Sequence, residues 1–196
     1  TIASLNDSFF IEYAKDKEWE KYKYNYNENY KINLLGKFNM YNALSAVMVG
    51  RSQNIPDEII QKGLLDVKQV AGRMEFINEG QDFSVVIDYA HEPLSYTALF
   101  TELRNQLTKS NKLISIIGSD GGGRDKTKRG EMGKIAGELT DIVIITDVNC
   151  FDEDPVAIAE MLAFGSRQSG KKDNEDLFIE INRREAIKLA CQKAEK

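Results

Sequence analysis

One histidine, His91, two cysteines, Cys150 and Cys191, and three prolines are all that this 196-residue chain holds of three residue types that often mark function or framework. A single histidine excludes a two-histidine metal site within the chain and leaves one candidate for imidazole acid–base chemistry. Two cysteines make neither a metal cluster nor a disulfide scaffold at this size, and a reducing, cytoplasmic setting is the expectation. No stretch approaches the roughly 20 apolar residues of a membrane helix, and no signal-peptide pattern opens the chain, so no membrane association is expected. Basic residues are outnumbered 26 to 31, for a formal charge of −5. That balance disfavours a nucleic-acid partner, so any anionic ligand must meet a local basic site.

What is present is a globular composition, 42% hydrophobic and 29% charged, within the range of an ordinary packed domain. From Phe83 onward, apolar runs alternate with helical patterns. Phe83–Tyr89, Lys112–Ile117 and Asp141–Thr146 are rich in β-branched residues and read as strands buried on both faces, and Leu177–Ile181 as a fourth. Met132, Ile135, Ala136 and Leu139 make one helical stripe, Ile187, Ala190, Cys191 and Ala194 another, and Leu99, Leu103 and Leu107 a third. Pro155 is placed to open a helix behind the acidic Asp152, Glu153 and Asp154.

Strands alternating with helices predict an α/β fold, a doubly wound, mostly parallel sheet covered on both faces. Residues 1–71 read differently. Tyr22–Tyr30 is expected to form a hairpin, Met40, Ala43, Leu44 and Val47 a helix starting near Asn39, and Pro56–Leu65 a second helix. This segment is expected to be the end of a preceding domain, with residues 72–196 forming the next.

Ligands of such sheets sit outside the carboxyl ends of the strands, which directs attention to three loops. In Gly118–Arg129, glycines let backbone N–H groups approach an anion, and four cations fall within the six residues Arg124–Arg129. This pattern suits an oxyanion site, or else a solvated basic turn; it matches neither of the common nucleotide-binding glycine motifs. In Asp88–His91, Asp88 could accept from ribose hydroxyls and His91 could donate to a phosphate or cap the next helix. In the third loop, Asp152–Asp154 suit helix capping, Asn149 could read a ligand, and Cys150 lacks a base beside it. Arg73, in Gly72-Arg73-Met74-Glu75, could hold phosphate with its fork or pair with Glu75.

Five segments in order, Gly36–Ala43, Gly72–Glu75, Asp88–His91, Gly122–Arg129 with Met132-Gly133, and Glu153–Pro155, resemble the Mur ligases, and among them the UDP-N-acetylmuramoyl-tripeptide synthetases that add the third residue of the peptidoglycan stem peptide. The resemblance implies a Rossmann-like C-terminal domain behind the tail of an ATPase domain. It implies an ADP-forming amide ligase working through an acyl phosphate, with ATP and Mg²⁺, and a UDP-muramoyl-peptide and an amino acid as partners; the sequence leaves the oligomeric state open, with a monomer favoured. It would put Asn39 and Asn42 near the adenine, Arg73 at the terminal phosphates, Asp88 and His91 at the ribose, and Arg124 on the incoming amino acid's carboxylate.

Where the diaminopimelate-adding members carry Asp-Asn-Pro-Arg, this chain has Val148-Asn149-Cys150-Phe151, which disfavours diaminopimelate. The triphosphate-binding loop and most Mg²⁺ ligands would lie outside the chain, as would a motif expected just past Lys196, so a fragment inactive alone is expected. A folate- or cyanophycin-type ligase and a non-catalytic homologue are the alternatives.

Overall fold

The computed structural model describes residues 3–4, 30–34, 36–108 and 110–194. The hairpin expected over Tyr22–Tyr30 therefore lies, but for Tyr30, outside the described residues. The chain divides into two compact units, Thr1–Glu75 and Phe76–Lys196.

In the first unit, β1 (Ala3–Ser4) pairs antiparallel with β2 (Lys31–Ile32), followed by α1 (Lys37–Ser52) and α2 (Asp57–Asp66). Ala43, Leu44 and Val47 of the expected stripe are buried, and Val47 packs in a small core with Tyr30, Ile32 and Ile60. The turn between the helices is pinned by Arg51, whose Nε and Nη2 each donate to the Asp57 carboxylate at 2.7 Å. Tyr30 donates to the same carboxylate at 2.6 Å, and its hydroxyl pKa is pushed up to about 12, first by burial and then by Asp57.

The second unit begins within β3 (Glu75–Ile77), which pairs with β4 (Val85–Ile87), and continues through α3 (Pro93–Gln106), β5 (Ile114–Ile117), α4 (Thr127–Leu139), β6 (Ile142–Ile145), α5 (Pro155–Gln168), β7 (Leu177–Ile179) and α6 (Arg183–Ala194). Strands β5, β6 and β7 form a parallel sheet in sequence order, with Ile116 opposite Ile144 and Ile144 opposite Phe178. Alternate residues serve opposite faces, as a pleat requires. Ile117, Val143, Ile145 and Leu177 pack beneath α3, α4 and α5 with Tyr96, Phe100, Met132, Ala136, Ile158 and Leu162. Ile142 and Ile144 pack on the other face against Ala186, Leu189 and Ala190 of α6. The doubly covered parallel sheet is thus as expected, and all four residues of β6 are buried.

Four expectations are corrected. The Phe83–Tyr89 run supplies a strand of three residues that pairs with β3, which sequence reading missed, and Ile87 is 48% exposed; β-branched content does not distinguish a central strand from a peripheral one. The α6 stripe is rotated: Ala186, Leu189 and Ala190 face the sheet while Ile187 is exposed, and the half-buried Lys193 follows on the same face with its Nζ 3.9 Å from the centre of the Phe178 ring. Helix α3 ends at Gln106, before Leu107, and its buried residues are Tyr96 and Phe100. The last strand stops at Ile179, with the Ile181 carbonyl accepting from the Thr146 hydroxyl at 3.2 Å. No described helix is long and apolar enough to cross a membrane.

Candidate functional site

The loops after β5 and β6 leave the carboxyl edge of the sheet side by side, and their residues meet pairwise. A Cβ built on Gly118 would lie 2.3 Å from Val148 Cγ2, one on Gly121 2.1 Å from the Cys150 carbonyl oxygen, and one on Gly122 3.0 Å from the Phe151 ring. Between these contacts Asn149 Nδ2 donates to Asp120 Oδ1 at 3.1 Å, and the Gly121 N–H donates to the Asn149 carbonyl at 2.8 Å. Only glycine permits approaches this close, and Gly122 also holds a φ of 68° that suits a residue without Cβ. Phe151 takes the same left-handed region at φ 54° and remains 66% exposed; a bulky residue there is strained.

The four cations of the glycine-rich segment do not form an open positive pocket. Arg129 is fully buried and makes a fork to Glu153, Nη1 to Oε2 at 3.0 Å and Nη2 to Oε1 at 3.2 Å, while Nη2 also donates to the Asp120 carbonyl at 2.8 Å. Lys126 reaches the same Glu153 at 2.9 Å, and Lys128 pairs with Glu92. Arg124 differs, with a side chain 59% exposed and Nη1 3.8 Å from Asp120 Oδ2. Of the four cations, Arg124 is therefore the most exposed and the most loosely paired.

Glu153 is the residue that sequence reading assigned wrongly. Of the acidic trio, Asp154 caps α5 by accepting the Val156 N–H at 3.0 Å. Glu153 instead joins the loops through Arg129, which with Lys126 lowers its carboxyl pKa to about 2. A usable signal was present: Arg129 shares the i, i+3, i+7 stripe of Met132 and Ala136, all of them buried, and a charge on an apolar stripe demands a partner. The lowered pKa fixes a sign. The folded state favours ionised Glu153, so its stabilising contribution is full above the ordinary value of 4.5 and is lost as pH falls toward 2. Thermal melts across this range are expected to show the wild type's advantage over Glu153→Gln shrinking as pH drops.

The loop after β4 approaches the same edge. Asp88 Oδ1 accepts the Ala90 N–H at 2.8 Å, and His91 Nδ1 lies 3.0 Å from the Tyr89 carbonyl oxygen. Lys128 donates to the His91 carbonyl at 3.2 Å, bringing this loop to α4. Tyr96 of α3 donates to the Gly118 carbonyl at 3.5 Å, and burial raises its hydroxyl pKa. Arg124 and Val148–Phe151 thus stand at the carboxyl edge of the three-stranded sheet, and the Asp88–His91 loop, which leaves the two-stranded sheet, is tied to α4 through Lys128.

Asn39, Asn42 and Arg73 belong to the first unit. Asn39 is buried at the start of α1 and accepts from Asn42 Nδ2 at 3.0 Å. Arg73 is exposed in a turn between Gly72 (φ 66°) and the buried Met74 (φ 49°), and Glu75 accepts the Gly72 N–H at 2.7 Å. Of the two residues bracketing Arg73, Gly72 takes its positive φ freely, whereas Met74 is strained there. No group of three or more His, Cys, Asp or Glu side chains among the described residues is placed to hold a metal ion.

Residues 72–196 match the family model described as Mur ligase, glutamate ligase domain. The chain is 44% identical over 168 residues to the UDP-N-acetylmuramyl-tripeptide synthetase of Treponema denticola, covering 85% of this chain and 31% of that protein. It is 40% identical over 176 residues to the UDP-N-acetylmuramoyl-L-alanyl-D-glutamate–2,6-diaminopimelate ligase of Fusobacterium nucleatum, covering 90% and 35%. A solved diaminopimelate ligase of that name superposes with a TM-score of 0.51 at 26% identity, over 83% of this chain and 32% of the other. Folylpolyglutamate synthase of Mycobacterium tuberculosis, solved with ADP, superposes with a TM-score of 0.62 over 84% and 34% at 20% identity, a likeness of fold alone. The chain spans about a third of the length of the curated relatives it matches. With its motifs in order and the match extending over more than half its length, this chain belongs to the Mur ligase family.

Proposed function

We propose that the chain is the C-terminal part of a cytoplasmic, ADP-forming ligase that joins an amino acid to a UDP-N-acetylmuramoyl-dipeptide in peptidoglycan synthesis. The supporting observation is the pairing of Gly118–Gly122 with Val148–Phe151, which leaves Arg124 outward and tethered to Asp120. In this reading ATP phosphorylates the acceptor's carboxylate, and the amino group of the incoming residue attacks the acyl phosphate and releases phosphate. The second unit supplies positioning, which converts the encounter of amine and acyl phosphate into an oriented attack.

Arg124 grips the α-carboxylate of the incoming amino acid, and Asp120 with Asn149 fixes the direction from which Arg124 reaches. Asp88 and His91 meet the ribose, Asn39 and Asn42 the adenine, and Arg73 the terminal phosphates. The paired amides of Asn39 and Asn42 and the carboxylate of Asp88 are donor and acceptor types that fit a nucleoside. Mg²⁺, when bound, would neutralise phosphate charge, and most of its ligands are proposed to come from parts of the protein outside this chain.

The amino acid is proposed to lack a distal carboxylate. Phe151, exposed and packed on Gly122, supplies no charge where the diaminopimelate-adding members are expected to carry an arginine. A phosphate-release assay on the full-length protein, with the UDP-muramoyl-dipeptide and a panel of lysine, diaminopimelate and glutamate, tests both points. Lysine is expected to exceed diaminopimelate by about tenfold or more in kcat/KM, the equivalent of one charge-assisted contact. Release that depends on no amino acid overturns the ligase reading, and a preference for diaminopimelate overturns the role given to Phe151.

A further inference from the structure

Helix α4 lies between α3 and α5, and the two consecutive cations of its first turn point to opposite neighbours. Lys128 reaches the loop ahead of α3, where Nζ donates to the His91 carbonyl at 3.2 Å and pairs with Glu92, the N-cap residue of α3. Arg129 reaches the loop ahead of α5, where it forks onto Glu153, the residue before the N-cap Asp154, and also holds the Asp120 carbonyl. Successive helical residues are about 100° apart, so one turn can address two loops at once.

Neither contact is an ordinary surface pair. Lys128 is only 12% exposed although lysine is among the residues least often buried. Arg129 is fully buried and its Nε is a buried nitrogen without a hydrogen-bond partner. An apolar side chain at position 129 would avoid that desolvation, and a buried ion pair is weak support for stability. Such pairs are better explained by the geometry they impose: Arg129 fixes the backbone of Asp120, whose side chain holds Arg124 and Asn149.

We propose that Lys128 and Arg129 are positioning residues for different ligands, Lys128 setting the nucleotide-side loop at Asp88–Glu92 and Arg129 setting the amino-acid loop at Gly118–Arg124. This rests on the assignment of those two loops made above.

The test is made in the full-length protein. Lys128→Met is expected to raise the KM for ATP by about tenfold with the amino-acid KM little changed, and Arg129→Met to do the reverse, a displaced contact of this kind being able to cost up to about a hundredfold. Lys128→Arg is expected to restore the ATP KM. Glu153→Gln, which keeps the side chain's size, is expected to reproduce the effect of Arg129→Met and guards against a methionine variant that does not fold. Hydrogen exchange supplies a readout independent of turnover: Arg129→Met accelerates exchange at the Gly121 N–H and not in residues 88–92, and Lys128→Met the converse.

Both KM values rising together in each variant, or neither moving, overturns the proposal. Wild-type protein that releases phosphate with no amino acid overturns the ligase reading instead, and the exchange pattern then decides whether the two cations hold separate loops. Exchange accelerated in both loops by either variant, or in neither, refutes that division.

Discussion

Replacing Arg124 with alanine in the full-length protein is expected to raise the amino-acid concentration for half-maximal phosphate release by about 10- to 150-fold, the range that follows from roughly 1.5–3 kcal/mol for a hydrogen bond to a charged group. The requirement for ATP is expected to change little. The magnitude falls in the lower part of that range because the side chain is 59% exposed and water screens it. The selectivity arises because Lys126, Lys128 and Arg129 already have carboxylate partners. No neighbouring cation of that segment is spare to replace Arg124. Initial-rate measurements with each substrate varied in turn check the claim. An equal loss for ATP would mean that the glycine-rich loop cradles phosphate.

The largest expected effect on stability comes from a glycine of α5, outside the sheet-edge loops. A Cβ on Gly165 of α5 would stand 1.8 Å from the Gly130 carbonyl oxygen, and one on Gly133 of α4 would stand 1.9 Å from the Leu162 carbonyl oxygen. The two helices thus meet backbone to backbone, with Ser166 Oγ donating to the Gly133 carbonyl at 2.9 Å. Gly165→Ala is expected to cost about 3 kcal/mol or more, because the obstruction is main chain and cannot rotate aside. That corresponds to a fall in Tm of about 10 °C for a domain of this size. A melt unchanged to within about 2 °C would show that α4 and α5 do not approach along this seam.

Local patterning carried most of the second unit. The runs around Ile114–Ile117 and Ile142–Ile145 are continuous and β-branched because both faces of those strands are covered, and the Met132–Leu139 stripe is readable because one face of α4 is. Reading failed where a partner was distant in sequence. Glu153 and Arg129 are 24 residues apart and Lys128 and Glu92 are 36 apart, so spacing alone showed four cations and not their neutralisation. It failed again on α6, where Lys193 lies over Phe178 and takes a place on the buried face that a hydrophobicity count gives to an apolar residue. That Gly118–Arg124 and Val148–Phe151 leave the same sheet edge was legible from the strand ends. Their register, glycine against side chain, depends on close approaches that only coordinates express.

The glycine seam has a further consequence for how this protein can change. Phe164 and Gly165 are neighbours on one helix, yet Phe164 is 60% exposed while Gly165 has no room for a methyl group. The platform bearing Lys128, Arg129 and Glu153 therefore resists enlargement at Gly133 and Gly165, where an added Cβ meets main chain. Freedom to explore lies at the rim, where Val148 and Phe151 present exposed side chains above a base that does not yield. On the proposed assignment of this rim to the incoming amino acid, the preference changes by exchanging rim residues one at a time, with the base inherited intact.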